Sequence, residues 1–204
     1  MSAYFNGLME MADVSVKDFI DSIKSRPEVV SMQSYDGDTL LVKYIGEEQL
    51  DHCVYLVDHH PSSYQQGYPL HNAVKTGNKC LVLLLLHAGV NINEKDSNGK
   101  TPLHYAVSDG EPDLCLLLLN HLADPNLVDN GGRSPLELAV NKKPFPYSIV
   151  DRLYRNGGDI EDSKVPANVK AALEEIKSLA DKEDVGYDSE EEYESEEEIE
   201  DPDL

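Results

Sequence analysis

The sequence predicts an all-α repeat solenoid, a stack of helix-turn-helix units with β-turn fingers, followed by a disordered acidic tail. Two observations indicate the solenoid. A short motif recurs three times at one spacing, and each copy is followed by an apolar segment of helical length. The tail is indicated by the C-terminal segment 181–204, which is mostly acidic and offers few side chains for a core.

The recurring motif is a capping residue followed by proline and leucine. Its copies read YPLHNAV from Tyr68, TPLHYAV from Thr101 and SPLELAV from Ser134, so the motif recurs at a constant spacing. A Thr or Ser hydroxyl caps a helix N-terminus, and proline fits the first helical turn, where it costs no backbone hydrogen bond. Each copy therefore predicts the start of a short helix, in which a repeated alanine allows close approach of neighbouring helices.

A second, strongly apolar helix is predicted after each copy, at residues 80–87, 114–121 and 149–154. Segments that are apolar nearly all round suit helices covered by neighbours on several sides. Polar turns containing glycine then lead to the next unit. Asn98-Gly99 and Asn130-Gly131 are predicted to form the tight turns at the finger tips.

These residues resemble the ankyrin-repeat family, whose hallmark is T-P-L-H-x-A at a period of 33. The resemblance covers about residues 64–161 and includes three clear repeats. It implies a module that binds other proteins through a concave groove formed by the fingers and the first helices. It also implies that His71 and His104 hydrogen-bond to helix-cap and loop groups.

Weaker signals at both ends extend the stack to about five helix pairs, including degenerate caps. Residues 8–12 and 16–25 predict a capping helix pair with Phe19, Ile20 and Ile23 facing inward, and residues 50–57 predict the second helix of a worn repeat. The predicted units are a degenerate N-terminal cap (1–35), a degenerate repeat (36–67), two regular repeats (68–100 and 101–133), a divergent repeat (134–165), a capping helix (166–180) and the disordered tail (181–204).

The negative charge of the chain is concentrated in the tail. The net charge is −22, and residues 181–204, with 14 acidic side chains and one lysine, contribute −13, which leaves −9 for the rest. Such a chain is unsuited to phosphate-backbone contacts, so we predict no direct binding of nucleic acid. The tail favours a partner with a basic surface, although a purely solubilising tail is the alternative. Ser189 and Ser195 each precede three glutamates and resemble acceptor sites of the casein kinase 2 type, which predicts phosphorylation.

Motifs that carry chemistry are missing from the sequence. It contains no phosphate-binding glycine loop, nucleophile elbow or paired-cysteine zinc pattern, so we predict no enzyme, no catalytic residue, no metal and no cofactor. Three unpaired cysteines, predicted to be buried free thiols, indicate a reducing compartment. No apolar run approaches the ~20 residues of a membrane span, and no signal peptide is recognisable. We therefore expect a monomer in the cytoplasm, the nucleus or both, without membrane contact.

The register of the repeats assigns a set of groove positions. They lie in the fingers and directly after the fourth motif residue: Tyr64, Gln65, Gln66, Asn72, Ser97, Asn98, Lys100, Tyr105, Asn130, Arg133 and Leu138. Tyr105 and Leu138 are the predicted anchors, because this helix position points away from the core and aromatic residues are favoured at hot spots. Tyr105→Ala is then expected to weaken binding with little change in melting temperature. The irregular segment 59–66 is either a recognition element or a worn repeat.

The predicted function is that of an adaptor, inhibitor or escort, whose groove grips a segment of a basic protein while the tail covers cationic surface. Two family precedents fit this layout, an inhibitor of NF-κB type and an escort of a ribosomal protein or histone. The alternative is a structural subunit or substrate receptor of a larger assembly, with the tail only a solubiliser.

Overall fold

A computed structural model of the chain describes residues 15–34, 38–161, 164–167 and 169–184. Within these residues all regular structure is helical, and no strand occurs. The predicted helix at residues 8–12 and the tail beyond residue 184 lie outside the described residues, as do both predicted phosphorylation sites.

The described helices follow one another in pairs. The N-terminal cap consists of α1 (Val16–Ser25) and a 3-10 helix (Pro27–Ser31). Four pairs follow: α2 (Leu40–Gly46) with α3 (Leu50–His59), α4 (Pro69–Lys75) with α5 (Lys79–His87), α6 (Pro102–Asp109) with α7 (Pro112–Asn120), and α8 (Pro135–Val140) with α9 (Tyr147–Arg155). A second 3-10 helix (Pro61–Tyr64) follows α3, and α10 (Lys170–Asp184) packs on α9.

The first helices of the pairs form one layer, in which α2 packs on α4, α4 on α6, and α6 on α8. The second helices lie behind them, with α3 against α5 and α7 against α9. Ala73, Ala106 and Ala139 are fully buried in the first layer, as expected where helix backbones approach closely. The core is continuous from the N-terminal cap to the last helix, so each pair is stabilised by its neighbours.

The predicted helix caps are confirmed. The hydroxyl of Ser134 accepts the N–H of Glu137 at 3.2 Å, and Thr101 forms a capping box with His104. Thr39 caps the degenerate repeat in the same way, accepting the N–H of Val42. In the first clear repeat Tyr68 occupies the capping position and caps nothing with its side chain.

The two ends of the stack differ in detail from the prediction. Phe19 and Ile23 of α1 are buried and Ile20 packs beside them, as expected. At the other end, α10 continues to Asp184. Its last turn therefore enters the segment 181–204, for which the sequence predicts disorder from the first residue.

One of the three predictions of a buried thiol is wrong. Cys53 and Cys115 are buried, but Cys80 is exposed, and all three cysteines are free. Cys80 is the second residue of α5, at an end of the helix that the neighbouring helices leave open. Apolar neighbours in the sequence therefore gave the wrong expectation for this position.

Candidate functional site

Two consecutive fingers are tight turns, each organised by an aspartate. Oδ1 of Asp96 accepts the backbone N–H groups of residues 98 and 100, both at 2.9 Å. Oδ1 of Asp129, one repeat later, accepts those of residues 131 and 133 at 2.8 and 3.0 Å. Burial raises the pKa of both carboxyl groups, but hydrogen bonds outweigh burial and leave each pKa below its usual value. For Asp96 these bonds come from the Tyr105 hydroxyl and the backbone, and for Asp129 from the backbone and the Arg133 side chain. Both aspartates therefore stay ionised as fixed parts of the turns.

The turn is closed by a glycine three positions after the aspartate. Gly99 and Gly132 both have φ of +73°, a left-handed conformation that favours glycine. The prediction that Gly131 closes the second turn is therefore wrong by one position. In the pair Gly131-Gly132, only the second glycine is in register with Gly99.

Neighbouring fingers are joined directly. The N–H of Asn130 donates to the carbonyl of Asn98 at 3.0 Å, and its side-chain amide donates to the carbonyl of Ser97 at 3.0 Å. Three of the predicted groove residues thus form one connected surface at the finger tips. Hydrogen bonds between these three residues fix their positions, and the surface they form is available to a partner.

Buried histidines attach each finger to the first helix of the preceding repeat. Nε2–H of His71 donates to the carbonyl of Lys100 at 2.9 Å, and Nε2–H of His104 donates to that of Arg133 at 3.1 Å. Nδ1 of His104 accepts from the N–H and hydroxyl of Thr101 at 3.1 and 2.8 Å. The expected loop contact is thus confirmed for both histidines, and the cap contact for His104. Burial lowers the pKa of His71 and of His104, which favours the neutral ring.

In the third motif copy Glu137 replaces the histidine. Its carboxylate is nearly buried and forms an ion pair with Nζ of Lys164 at 2.8 Å. The bond again reaches forward along the chain, here into the segment that leads to α10. The divergent repeat therefore keeps the forward link by exchanging a histidine–carbonyl bond for an ion pair.

Tyr105 is the most highly connected of the predicted anchors. Its hydroxyl donates to Oδ2 of Asp96 at 2.6 Å, and its ring meets the edge of His71 at a centroid distance of 5.9 Å. Burial and the contact with Asp96 raise the pKa of Tyr105 to about 12. The ring is half-buried against the core, so the expectation that this side chain is not needed for packing is wrong.

Two lysines lie beside the same ring. Nζ of Lys75 lies 4.3 Å from the centroid of Tyr105, and Nζ of Lys100 lies 5.3 Å from it, both within cation–π range. The sequence predicts Lys100 as a groove residue but gives no indication of Lys75. Lys75 is the last residue of α4, whose proximity to α6 only the stacked structure reveals.

The remaining predicted residues have separate environments. Leu138 is half-buried and packs against the core. Arg133 is exposed, but its guanidinium binds Oδ2 of Asp129 at 2.9 and 3.2 Å. The side-chain amide of Asn72 donates to the carbonyls of Gly67 and Tyr68, both at 3.1 Å.

An acidic cavity lies where the degenerate repeat meets the first clear one. Its volume is about 400 Å³, and its lining residues are Gln33, Asp38, Gln65, Gln66, Gly67, Tyr68 and Glu94. A neighbouring cavity of about 330 Å³ shares Glu94 and Gln65 and also contacts Tyr64. The predicted groove set includes Tyr64, Gln65 and Gln66 from this region but neither carboxylate. Burial raises the pKa of Glu94, so its charge lacks full compensation.

The irregular segment before this cavity is ordered by its own contacts. Its 3-10 helix, Pro61–Tyr64, contains a buried serine, Ser63, whose hydroxyl donates to the carbonyl of Leu56 at 3.3 Å. Tyr64 packs against the core. The segment thereby holds Gln65 and Gln66 at the cavity wall.

The missed residues differ in how visible they are in the sequence. Asp96 and Asp129 occupy equivalent positions of consecutive repeats, so aligning the repeats beyond the TPLH motif identifies both. Asp38 and Glu94 have no such signal, because they belong to different positions of different units. Their proximity depends on how an irregular repeat packs against a regular one.

The described ranges offer neither a metal-binding cluster nor a membrane span. No group of three or more His, Cys, Asp or Glu side chains there could hold a metal ion. No helix in the same part of the chain is both long and apolar enough to cross a bilayer.

Comparison with known proteins gives one match. Residues 70–164 match the family model for ankyrin repeats, in three copies. A search among curated proteins found no match to the chain.

Proposed function

Residues 70–164 place this chain in the ankyrin-repeat family, and from that premise we propose that it is an adaptor, inhibitor or escort of a basic protein. Ankyrin repeats generally mediate protein–protein interaction and typically have no catalytic role. A groove built from fingers and first helices supplies the contact surface. The acidic tail supplies long-range attraction for cationic surface on the partner.

The acidic cavity is the observation that supports a partner with basic side chains. Its lining includes Asp38 and Glu94, whose side chains are carboxylates, and Gln65 and Gln66, whose side chains are amides. A guanidinium or ammonium group presents only donors, which carboxylate and amide oxygens accept. Burial raises the pKa of Glu94 because it destabilises the ionised carboxylate, and a bound cation would stabilise that ionised form. A lysine or arginine side chain is therefore the ligand best suited to this cavity.

The fingers favour affinity because they are fixed before a partner arrives. Asp96 and Asp129 organise the turns, and Asn130 ties one finger to the next. Binding to such a surface loses less conformational entropy than ordering free loops. Tyr105 and Leu138 then offer apolar contact within a rigid frame.

The tail contributes charge rather than shape to this proposal. Its net charge of −13 acts over about one Debye length, ~8 Å at physiological salt, so its contribution weakens as salt is added. Phosphates at Ser189 and Ser195 would add about −1.5 to −2 charge each and strengthen the attraction. We assign the protein to the cytoplasm, the nucleus or both, as a monomer when free.

The test compares two charge-matched variants of the full chain. Asp38→Asn with Glu94→Gln removes the cavity carboxylates, and Asp21→Asn with Glu28→Gln removes two exposed carboxylates of the N-terminal cap. Fluorescence anisotropy with a labelled arginine-rich peptide measures the affinity of each. The cavity variant is expected to bind at least tenfold more weakly than the wild type, and the cap variant within about twofold. Equal losses in both variants would reduce the effect to net charge and refute the cavity as the site.

The structural-subunit alternative makes a different prediction. Replacing the glutamates at 190–192 and 196–198 by glutamine removes six tail charges while leaving the helices intact. Unchanged affinity of a purified partner at low and at high salt would favour a tail that only solubilises. A loss confined to low salt would support the contribution of the tail to binding.

A further inference from the structure

Some cations among the described residues are paired with a carboxylate, and others are not. On the second helices and their flanks, Lys79 binds Asp113 at 2.8 Å, and Arg155 binds Asp151 at 2.8 Å. In the groove, neither Lys75 nor Lys100 has a carboxylate oxygen within ion-pair distance among the described residues, and their ammonium groups lie against Tyr105 instead. The ammonium charges of these two lysines are therefore not neutralised by a carboxylate of the described residues.

A third cation extends the same surface. Nζ of Lys142 donates to the carbonyls of Val107 and Ser108, at the end of α6, at 3.1 and 2.6 Å. Those carbonyls are partial charges at a helix C-terminus and do not neutralise a whole ammonium charge. Lys75, Lys100 and Lys142 thus surround the two ends of α6 and its outward Tyr105. We call these four side chains the lysine–tyrosine surface.

Two nearby acidic groups, Asp96 and Asp129, are already occupied, whereas Asp109, the exposed last residue of α6, also acts electrostatically on Tyr105. Both oxygens of the Asp96 carboxylate are engaged, one by backbone N–H groups and the other by the hydroxyl of Tyr105. Asp129 is buried and bonded to Arg133. The lysine–tyrosine surface is therefore suited to a ligand that brings its own carboxylates, and an aromatic ring beside them would add contact with Tyr105.

We infer that in the free protein the lysine–tyrosine surface binds the acidic C-terminal segment of the same chain, residues 185–204. That segment contains 11 acidic side chains, no lysine or arginine, and two tyrosines, Tyr187 and Tyr193, set among the acids. Its composition complements two cations beside an aromatic ring and a third cation at the C-terminal end of α6. The segment is covalently attached, so its effective concentration at the groove exceeds that of most free acidic competitors.

The segment is long enough to reach the groove. It starts where α10 ends, at Asp184, and α10 is connected to α6 through successive contacts with α9 and α8. Three helix-to-helix steps of about 10 Å amount to roughly 30 Å. Extended over its whole length, the segment spans up to about 70 Å, which exceeds this separation even when the length of α10, about 22 Å, is added to it, so the C-terminal part of the segment can reach Tyr105.

This inference rests on the proposed function, because it describes how the same groove is regulated. A basic partner held at the acidic cavity would attract the acidic segment away from the lysines and so expose Tyr105. The two proposals fail separately. If a basic probe binds at the cavity but the segment does not contact the groove, only the inference is refuted. If the segment contacts the groove but no basic probe binds at the cavity, only the proposed partner is refuted.

The test is paramagnetic relaxation by NMR on the full chain. A spin label is attached at Ser195→Cys in a Cys80→Ser background, since Cys53 and Cys115 are buried and burial raises the pKa of both thiols to about 12. At ~50 mM salt we expect strong broadening of the amide signals of residues 72–76 and 100–108. At ~500 mM salt, or with the six tail glutamates replaced by glutamine, the broadening is expected to fall at least threefold.

Charge-matched groove variants complete the experiment. Lys75→Glu with Lys100→Glu should abolish the broadening, while Lys24→Glu with Lys170→Glu, at exposed positions of α1 and α10, should retain it. Broadening that survives the first pair, or that is missing from the wild type, would overturn the inference. Broadening between a labelled and an isotope-enriched chain in a mixture would identify a second copy as the occupant. A separate acidic peptide that binds while the attached segment does not would identify an acidic partner instead, and either result also overturns the inference.

Discussion

The finger tips allow a stability prediction with an internal control. Gly99 and Gly132 occupy equivalent positions of two consecutive fingers, and both have φ of +73°. A Cβ at Gly99 would lie 2.4 Å from Oδ1 and 2.7 Å from the backbone nitrogen of Asn130, whereas a Cβ at Gly132 would meet nothing within 4 Å. The substitutions Gly99→Ala and Gly132→Ala therefore share the backbone strain and differ only in the contact between fingers.

The magnitude follows from these two contributions. Alanine in the left-handed region costs about 1–2 kcal/mol in either variant. Only Gly99→Ala also pushes Asn130 away and weakens its two hydrogen bonds to residues 97 and 98, each worth about 0.5–1.5 kcal/mol. We expect Gly132→Ala to lose about 1–2 kcal/mol of unfolding free energy, and Gly99→Ala to lose a further 1–3 kcal/mol.

Urea denaturation followed by circular dichroism measures both losses. A stack of repeats can lose cooperativity, so the midpoint and slope of each transition are compared before free energies are derived. Hydrogen exchange of the amides of residues 98 and 130 then locates the damage. Equal losses in the two variants would refute the reasoning, because the joined fingers would then contribute nothing to stability.

Three further predictions concern pH, the tyrosine anchor and the thiols. Burial lowers the pKa values of His71 and His104, so the unfolded chain takes up protons before the folded chain as pH falls below ~6.5. The free energy of unfolding should therefore decrease by up to about 3 kcal/mol between pH 7.5 and 5.5. An unchanged urea midpoint over this range would contradict this prediction. Tyr105→Phe removes the bond to Asp96 and should cost about 1–2 kcal/mol, measured by the same denaturation. Tyr105→Ala removes the same bond, so its melting temperature should also fall, in contrast to the small change expected from the sequence. A thiol reagent at mildly alkaline pH should modify Cys80 and spare the other two cysteines, and mass spectrometry showing three modified thiols in the folded protein would refute their burial.

The layered helical architecture was predictable because its determinants recur at a fixed spacing. Thr101 and Ser134 were expected to cap helices, and His104 to bond a neighbouring loop, and each does so. Such features depend on contacts within one repeat or between consecutive repeats. A constant repeat length makes those contacts visible as sequence identity.

The parts that were missed depend on contacts that the period does not encode. Lys75 reaches Tyr105 from the preceding helix, and Asp38 faces the cavity from the degenerate repeat. The error at Gly131 has a different cause, since two adjacent glycines suit the same turn and only the register of the fingers distinguishes them. The sequence therefore predicts the repeats better than the surfaces formed between unlike repeats.

Tyr68 shows how a departure from the repeat pattern accompanies the candidate site. At the position where Thr101 caps α6, Tyr68 has φ of +53° and no side-chain cap, and Nδ1 of His71 is buried without a hydrogen-bond partner among the described residues. A left-handed bulky residue costs about 1–2 kcal/mol, which a threonine in extended conformation would avoid. In return, the tyrosine is 37% exposed and forms part of the wall of the acidic cavity beside Glu94. Local rules are most often broken where function requires it. The strain at Tyr68 therefore supports the acidic cavity as a site of recognition, independently of its charge.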